Sequence, residues 1–285
     1  MKELIVTADD FGAAPEVNDA VEVAHRDGIL TAASLMVTGP AAADAIARAR
    51  RLPSLKVGLH LVLVEGRPVL PAAVIPDLVD KDGSFRANMA QAGANMFFRP
   101  TVRRQLAAEI AAQFEAFRAS GLTLDHVNAH KHFHLHPTIS SLIVGIGCRF
   151  GMTAARIPWE PRTILRQAEP TAVLPTALLL MPWMKLMRAT YGRAGLLVPN
   201  QVFGLAWSGA MTEPRLAGIL RHLPAGLSEI YLHPATSGGF DGAASGYRYA
   251  EEFAALTAPS VMEAVRHAGV KLGAFADFQM AARRP

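Results

Sequence analysis

Short apolar runs typical of buried strands alternate in this sequence with longer segments whose apolar residues recur every three or four positions. The strand-like runs cover residues 4–7, 34–38, 55–64, 122–127, 154–157, 229–232 and 272–275. The helix-like segments cover residues 15–27, 41–51, 101–117, 138–150, 212–221 and 247–267. Because strand-then-helix units build parallel sheets, the alternation predicts an α/β fold with a mostly parallel sheet. We expect a (β/α) barrel, distorted or incomplete, in one domain over residues 1–285.

Two segments depart from this alternation. Residues 65–100 carry many Pro, Gly, Asp and Asn residues, which predicts a long functional connection, and Thr101 is predicted to cap the next helix. An apolar insert around residues 171–200 is rich in Leu and Met but is interrupted by Pro182 and Lys185, so it lacks the ~20 apolar residues of a spanning helix. The insert is either a core or homodimer-interface element, or a lid that contacts lipid.

Composition narrows the class of protein. The chain has 285 residues, 51% hydrophobic and 18% charged, which suffices for a buried core and argues against disorder. The net charge of +4 is not gathered in a basic block, which argues against nucleic-acid binding but allows peripheral contact with an anionic membrane. The single cysteine, Cys148, excludes an intrachain disulfide and a cysteine-based zinc site. The first residues lack the pattern of a signal peptide, which predicts a cytoplasmic protein, peripheral at most to the inner face of the membrane.

Side chains that bind metal ions lie at the ends of several predicted strands. Asp9 and Asp10 follow the first strand, His60 lies in the third, and His233 ends a later one. Residues 130–136 form a ladder with histidine at every second position, and if the preceding strand continues through it, its imidazoles share one face. The carboxyl ends of parallel strands meet at one mouth, so a carboxylate and two imidazoles there predict a three-ligand site for Zn²⁺ or a similar ion.

Each of these features also has a purely structural explanation. The Asp9–Asp10 pair is typical of a turn that caps a helix, His60 of a buried core histidine, and the ladder of a surface segment that binds metal by accident. Their coincidence at four strand ends favours a metal-dependent hydrolase. In such an enzyme one carboxylate binds the ion, the second accepts a proton from water whose pKa the ion lowers, and a further histidine protonates the leaving group.

The same residues carry a resemblance to a known family. The sequence is similar to the YdjC-like carbohydrate deacetylases in five segments, at residues 7–12, 58–61, 128–137, 156–158 and 229–234. Within the family it resembles most the hopanoid-biosynthesis-associated HpnK branch. The resemblance implies a distorted (β/α) barrel that removes an acetyl group from an N-acetylated amino sugar, with an N-acetylglucosaminyl hopanoid as the substrate of that branch.

The resemblance also implies the roles of individual residues. Asp10, His60 and His130 match the metal ligands, Asp9 the catalytic base, His233 the general acid, and Arg156 an arginine that orients the catalytic carboxylate. One ion, Zn²⁺ or Mg²⁺, is implied, and a set of two imidazoles and one carboxylate favours zinc. Asn128 is a departure, because many members of the family have Asp there.

Two other functions stay open from the sequence. A phosphoester hydrolase usually needs more basic residues or a second ion near the mouth, where Lys131 and Arg156 are the obvious candidates. A non-catalytic sugar- or lipid-binding protein would need neither Asp9 as a base nor His233 as an acid. The expected partner is therefore an N-acetylated sugar or a glycolipid, and for the glycolipid the insert at 171–200 is the candidate apolar wall.

Overall fold

The computed structural model describes residues 1–170 and 177–282, with side chains over 1–170 and 180–279. Its described strands form one sheet in which all neighbours run parallel. The strands are β1 (Lys2–Phe11), β2 (Ala32–Leu35), β3 (Lys56–Leu61), β4 (Leu124–Ala129), β5 (Gln201–Phe203), β6 (Gly226–Leu232) and β7 (Lys271–Leu272). Their order is β4-β3-β2-β1-β6-β5, and β7 pairs with the start of β1. The strands β1, β2, β3, β4 and β6 are buried along nearly their whole length, as expected of parallel strands covered on both faces.

A segment over residues 154–159 joins the two edges of this curled sheet. On one side, the N–H of Arg156 donates to the carbonyl of Val127 in β4 at 3.1 Å. On the other side, the N–H of Val202 in β5 donates to the carbonyl of Trp159 at 2.8 Å. The predicted strand at 154–157 is therefore a pair of isolated bridges rather than a regular strand. The predicted α/β architecture, a distorted barrel with a parallel sheet, is confirmed.

The helices pack against the sheet and against one another. They are α1 (Pro15–Asp27), α2 (Ala42–Arg51), α3 (Met89–Phe98), α4 (Pro100–Ala119), α5 (Pro137–Gly147), α6 (Arg162–Ala168), α7 (Ala177–Arg193), α8 (Glu213–Arg221), α9 (Tyr249–Thr257), α10 (Pro259–His267) and α11 (Phe275–Ala282). Four of them begin directly at a proline and a fifth, α8, has one at its second position, where the missing N–H costs no intrahelical bond.

Several predicted boundaries differ from the structure. The helix expected after a Thr101 cap begins one residue earlier, at Pro100, and Arg99 is its N-cap without a side-chain capping bond. The connection predicted over 65–100 contains α3, which Asn88 caps by accepting the N–H of Gln91. In both cases a local signal, proline or asparagine, was present and sets the helix start.

The end of the chain also departs from the predictions. The helix predicted over 247–267 is two helices, because Ala258 is extended and Pro259 begins α10. A residue before proline is disfavoured in helical conformation, which accounts for the break. The strand predicted over 272–275 ends after Leu272, and Phe275 begins α11.

The predicted apolar insert lies only partly within the described chain, since residues 171–176 are outside the described residues. The remainder contains α7, in which Met184, Met187 and Tyr191 are buried while Leu186 is 52% exposed. Among the described residues, no helix combines the length and the apolar content that crossing a bilayer requires. Whether the insert contacts lipid or a second copy of the chain stays a prediction.

Candidate metal centre

The carboxyl end of β1 carries both acidic residues of the predicted site. The pairing of β1 with β2 shifts between Ala8 and Phe11, and Asp10 adopts a φ of 62°. Such a β-bulge redirects side chains, and aspartate tolerates left-handed backbone better than most residues. Consecutive side chains of a regular strand point to opposite faces. Here the bulge allows Asp9 and Asp10 to line the same cavity.

The structure brings together the three residues predicted to bind a metal ion. Asp10 Oδ1 lies 3.2 Å from His60 Nε2 and 3.2 Å from His130 Nδ1. One potential ligand atom from each of the three residues lies within 4.8 Å of the others. We call Asp10, His60 and His130 the candidate metal cluster.

The hydrogen bonds of His60 fit a metal ligand. Its Nδ1 lies 2.7 Å from Asn128 Oδ1, so Nδ1–H donates to this amide oxygen and the lone pair is on Nε2. Nε2 is buried and makes no hydrogen bond within the described chain, although Asp10 Oδ1 is 3.2 Å away. In a tetrahedral site, ligand atoms about 2.0–2.2 Å from a common zinc ion are themselves about 3.3–3.6 Å apart. The donor atoms present therefore fit one divalent ion.

The electrostatics of the cluster agree with this fit. Burial opposes ionisation of Asp10, but His130, through its charge and its hydrogen bond, and the nearby His60 hold the pKa of this carboxyl well below the usual range. Burial also opposes protonation of His60, yet the adjacent carboxylates of Asp10 and Asp9 raise its pKa. The cluster thus attracts a cation, and metal binding must compete with a proton on His60.

Arg156 lies beside this cluster and holds the second carboxylate. Its side chain is fully buried, and it donates to Asp9 through Nη1 and Nη2 and to Glu229 through Nε and Nη2. Its guanidinium carbon lies 4.4 Å from the centre of the Tyr231 ring. Burial opposes ionisation of Asp9, but Arg156 holds the pKa of this carboxyl well below its usual range. Asp9 is therefore an ionised carboxylate in a fixed orientation.

His233, the predicted general acid, directly follows β6 and lines the same cavity. Its backbone N–H donates to Glu252 on α9, and its Nδ1 lies 4.0 Å from Glu252 Oε2. Glu252 is fully buried and also accepts the N–H of Met211 at 2.7 Å. Burial raises the pKa of Glu252 although His233 and the two N–H donors oppose this shift.

The histidine ladder does not continue β4, so the condition under which its imidazoles would share one face is not met. The strand ends at Ala129, and residues 130–135 form a 3₁₀ turn in which Lys131 and His132 both have a φ of 52°. This left-handed step ends the alternation of a strand, so the four imidazoles separate. His130 joins the candidate metal cluster, while His132 Nε2 lies 2.7 Å from the hydroxyl of Tyr231. The other two histidines lie outside the cavity lining.

Four buried residues of the site were missed in the sequence. Three of them lie in predicted strands, where the available signal was a polar side chain inside an otherwise apolar run, as at Glu229 and Tyr231 in β6. Sequence alone does not tell which distant group pairs with each of them. They are Glu229, Tyr231, Glu252 and His126.

Asp9, His233 and the candidate metal cluster face a cavity of about 570 Å³ at the carboxyl ends of the strands. We call it the main cavity, and most of the residues that line it carry polar or ionisable side chains. Its lining side chains include Asp9, Asp10, His60, Glu65, His130, Lys131, His132, Ser208, His233, Tyr247 and Tyr249. A smaller cavity of about 230 Å³, which we call the side cavity, shares Asp10 and His130 with it. Met36, Val62 and Phe240 contribute apolar surface to the side cavity.

Known proteins resemble the chain over nearly its whole length. The family model for YdjC-like proteins matches residues 3–267. A carbohydrate deacetylase from Geobacillus stearothermophilus is 31% identical over 278 residues, which cover 96% of this chain and 97% of that protein. A carbohydrate deacetylase from Brevibacillus brevis is 36% identical over 157 residues, which cover 55% of this chain and 60% of that protein.

A solved structure shows the same fold. A protein from Enterococcus faecalis, described as a cellobiose-phosphate cleavage protein, superposes with a TM-score of 0.76 at 24% identity. The superposition covers 97% of this chain and 98% of that one. At this level of identity the likeness concerns the fold alone.

Proposed function

The chain belongs to the YdjC-like protein family, and on that premise we propose that it is a carbohydrate deacetylase, a hydrolase that removes the acetyl group from an N-acetylated amino sugar with one divalent metal ion. The observation that carries the proposal is the position of an ionised, oriented Asp9 beside the candidate metal cluster in one cavity. A carboxylate next to a three-ligand site with open coordination positions is the arrangement that metal-dependent amide hydrolysis requires.

The candidate metal cluster would hold the ion through one carboxylate and two imidazoles. This donor set favours zinc over magnesium, because magnesium prefers oxygen ligands and retains several waters. When bound, the ion would polarise the acetamide carbonyl and lower the pKa of water. All other steps fall to side chains of the chain itself.

Asp9 is the proposed general base. Arg156 keeps its carboxylate ionised, so the proton acceptor is available throughout the physiological pH range. The Asn128 amide donates to Asp9 Oδ1 at 3.0 Å and, with Arg156, fixes its orientation. Asp9 then accepts a proton from the water molecule whose oxygen bonds to the acetyl carbon. The carbon–nitrogen bond breaks, and acetate and a free amine leave.

His233 is the proposed general acid that protonates the departing amine. Its side chain lines the main cavity, and its Nδ1 makes no hydrogen bond within the described chain. Glu252 lies close enough to stabilise the protonated ring, and its own carboxylate is held by two backbone N–H groups. A carboxylate behind a histidine is a common way to orient a proton donor.

A finer proposal concerns the substrate. The side cavity beside the cluster offers apolar surface from Met36, Val62 and Phe240, and this feature supports a sugar that carries an apolar group. With the sequence resemblance to the hopanoid-associated branch, it favours an N-acetylglucosaminyl hopanoid over a soluble chitooligosaccharide.

Release of acetate tests the proposal. Purified protein, loaded with zinc, is incubated with chitooligosaccharides and with N-acetylglucosaminyl lipids, and acetate and free amine are quantified with and without a chelator. We expect equimolar acetate and amine, lost on chelation, with higher kcat/KM for the glycolipid. Phosphate release from a sugar phosphate without acetate from either substrate would contradict the proposal. Equal kcat/KM for both substrates would contradict only its finer part.

A further inference from the structure

A series of hydrogen-bonded, buried side chains runs inside the barrel towards the candidate metal cluster. Asp125 Oδ2 lies 2.9 Å from His126 Nδ1, and His126 Nε2 lies 2.9 Å from Ser34 Oγ. Ser34 Oγ in turn accepts from Asn128 Nδ2 at 2.9 Å. The exposed fraction of these four residues is 3% or less. The first three have the residue types of a hydrolytic triad, but a hydroxyl buried to this extent cannot reach a substrate.

The donors and acceptors along this series of hydrogen bonds have one consistent assignment. The carboxylate of Asp125 accepts the N–H of Ala276 at 2.9 Å and the Nδ1–H of His126. His126 then has its lone pair on Nε2, so the hydroxyl of Ser34 donates to it. The hydroxyl oxygen is left as the acceptor for Asn128 Nδ2. With this assignment, every polar atom in this series of hydrogen bonds has a partner.

Asn128 links this series of hydrogen bonds to the reacting groups. Its second Nδ2 hydrogen donates to Asp9 Oδ1 at 3.0 Å, and its Oδ1 accepts the Nδ1–H of His60 at 2.7 Å. A rotation of the amide would place its oxygen against the Asp9 carboxylate and its N–H₂ against His60 Nδ1. The amide orientation therefore fixes which nitrogen of His60 faces the cluster and holds one oxygen of Asp9.

A glycine makes the link between two non-adjacent strands possible. Ser34 lies on β2 and His126 on β4, and β3 runs between them with Gly58 paired to Ser34. A Cβ atom on Gly58 would lie 2.6 Å from His126 Nδ1 and 2.5 Å from its carbonyl oxygen. The absence of a side chain at this position lets the imidazole of His126 cross β3 and reach the hydroxyl.

We propose that Ser34, His126 and Asp125 are positioning residues of the metal centre, which lock the Asn128 amide and through it the metal-binding tautomer of His60 and the orientation of Asp9. The effect on turnover rests on the proposed function, whereas the effect on metal affinity does not. Removal of a group that orients a metal-bound histidine typically lowers metal affinity or activity about 10- to 100-fold. We expect an effect of this size here.

Two variants interrupt this series of hydrogen bonds in different ways. Ser34→Ala removes the hydroxyl and little volume, and Gly58→Ala displaces the His126 ring while every hydrogen-bonding group is retained. The matched control is Ser228→Ala, because Ser228 is also a fully buried strand serine, and its hydroxyl has no partner within the described chain. Thermal unfolding of the metal-free proteins checks that each variant folds.

Zinc titration of the metal-free proteins is the first readout, and kcat and KM for acetate release are the second. We expect Ser34→Ala and Gly58→Ala each to lower the affinity for zinc by about 10-fold or more. At saturating zinc, kcat should fall while KM stays near that of the wild type. Ser228→Ala should match the wild type in both measurements.

Wild-type zinc affinity and kcat in Ser34→Ala would overturn the inference, and so would an equal loss in Ser228→Ala, since packing alone would then explain the effect. The proposed function fails separately. If wild-type protein binds zinc but releases no acetate, that function is wrong, while a lower zinc affinity of Ser34→Ala would still support the positioning role.

Discussion

The guanidinium of Arg156 meets the carboxylate of Asp9 edge to edge, with Nη1 2.5 Å from Oδ2 and Nη2 3.0 Å from Oδ1. The two residues are 147 positions apart in the sequence, and their side chains are 0% and 3% exposed. A paired contact of this kind fixes both the distance and the plane of the carboxylate. In the proposed mechanism it decides where the general base stands relative to the candidate metal cluster.

Replacement of this guanidinium by an ammonium should separate position from charge. Arg156→Lys keeps a cation but cannot make the paired contact with Asp9. We expect kcat to fall on the order of 100-fold, because small displacements of a reacting group are costly, while zinc content stays at one ion. Arg215→Lys, which alters a partly exposed pair with Glu169, is the control. Wild-type kcat in Arg156→Lys would show that the geometry of this contact is irrelevant.

Removal of the base and removal of a ligand should have different effects. Asp9→Asn keeps the candidate metal cluster intact, so the variant should retain zinc and lose most turnover. His130→Ala removes one of three ligands and should lose zinc on dialysis together with activity. Zinc content by atomic absorption and acetate release are measured on the same samples. Retained zinc and turnover in both variants would contradict the assigned roles.

Substitution of the linking amide should create a new pH dependence. In Asn128→Asp a carboxylate oxygen replaces the donor that lies 3.0 Å from Asp9 Oδ1, and two carboxylates at this distance share a proton. We expect kcat/KM at neutral pH to fall about 10-fold or more and to rise as the pH is lowered, where the shared proton restores the hydrogen bond. A pH–rate profile parallel to that of the wild type would contradict this expectation.

Glu160 should make stability depend on pH near neutrality. Its carboxylate accepts three successive N–H groups, from Gly204, Leu205 and Ala206, but burial outweighs these bonds and raises its pKa to about 7. The unfolded chain loses this proton near pH 4.3, so the folded state binds more protons between about pH 4 and 7. The stabilisation is complete below that window and is lost as the pH rises through about 7.

We therefore expect the free energy of unfolding to fall by at most about 3 kcal/mol between pH 4.5 and 7 because of this group. Urea unfolding at several pH values measures the slope. Glu160→Gln, which cannot ionise, should flatten it, whereas Glu115→Gln on the exposed face of α4 should not. Equal slopes in wild type and Glu160→Gln would show that Glu160 is ionised throughout this range.

The sequence predicts which distant side chains lie close together better than it predicts the local backbone conformation around them. Alternating strand and helix patterns indicate a parallel barrel, and the strand ends of such a barrel share one mouth, so the carboxylates and imidazoles at these ends were expected to converge. The choice of Asp10, His60 and His130 among them came from the family resemblance. The strand does not continue through the histidine ladder, so the imidazoles of the ladder do not share one face. The left-handed residues Lys131 and His132 have no local signal such as glycine or asparagine, and tertiary contacts with Glu65 and Tyr231 accompany this conformation.

The missed residues show the same limit. Glu229 and His126 lie in predicted strands, but a polar residue in a buried strand indicates only that a partner exists. Glu229 accepts from Arg156, 73 positions away, and from Thr7, 222 positions away. His126 pairs with the adjacent Asp125, but its other partner, Ser34, is 92 positions away. The role of Gly58 could not be read either, because a glycine in a strand does not reveal which side chain occupies the free space.

The most direct test of the metal centre is a crystal structure of the zinc-loaded protein, with anomalous diffraction collected on both sides of the zinc absorption edge. The account predicts one strong peak about 2.0–2.2 Å from a carboxylate oxygen of Asp10, from Nε2 of His60 and from a ring nitrogen of His130, with Asp9 outside bonding distance. A peak held by other residues, or direct coordination by Asp9 in place of any of the three, would contradict it.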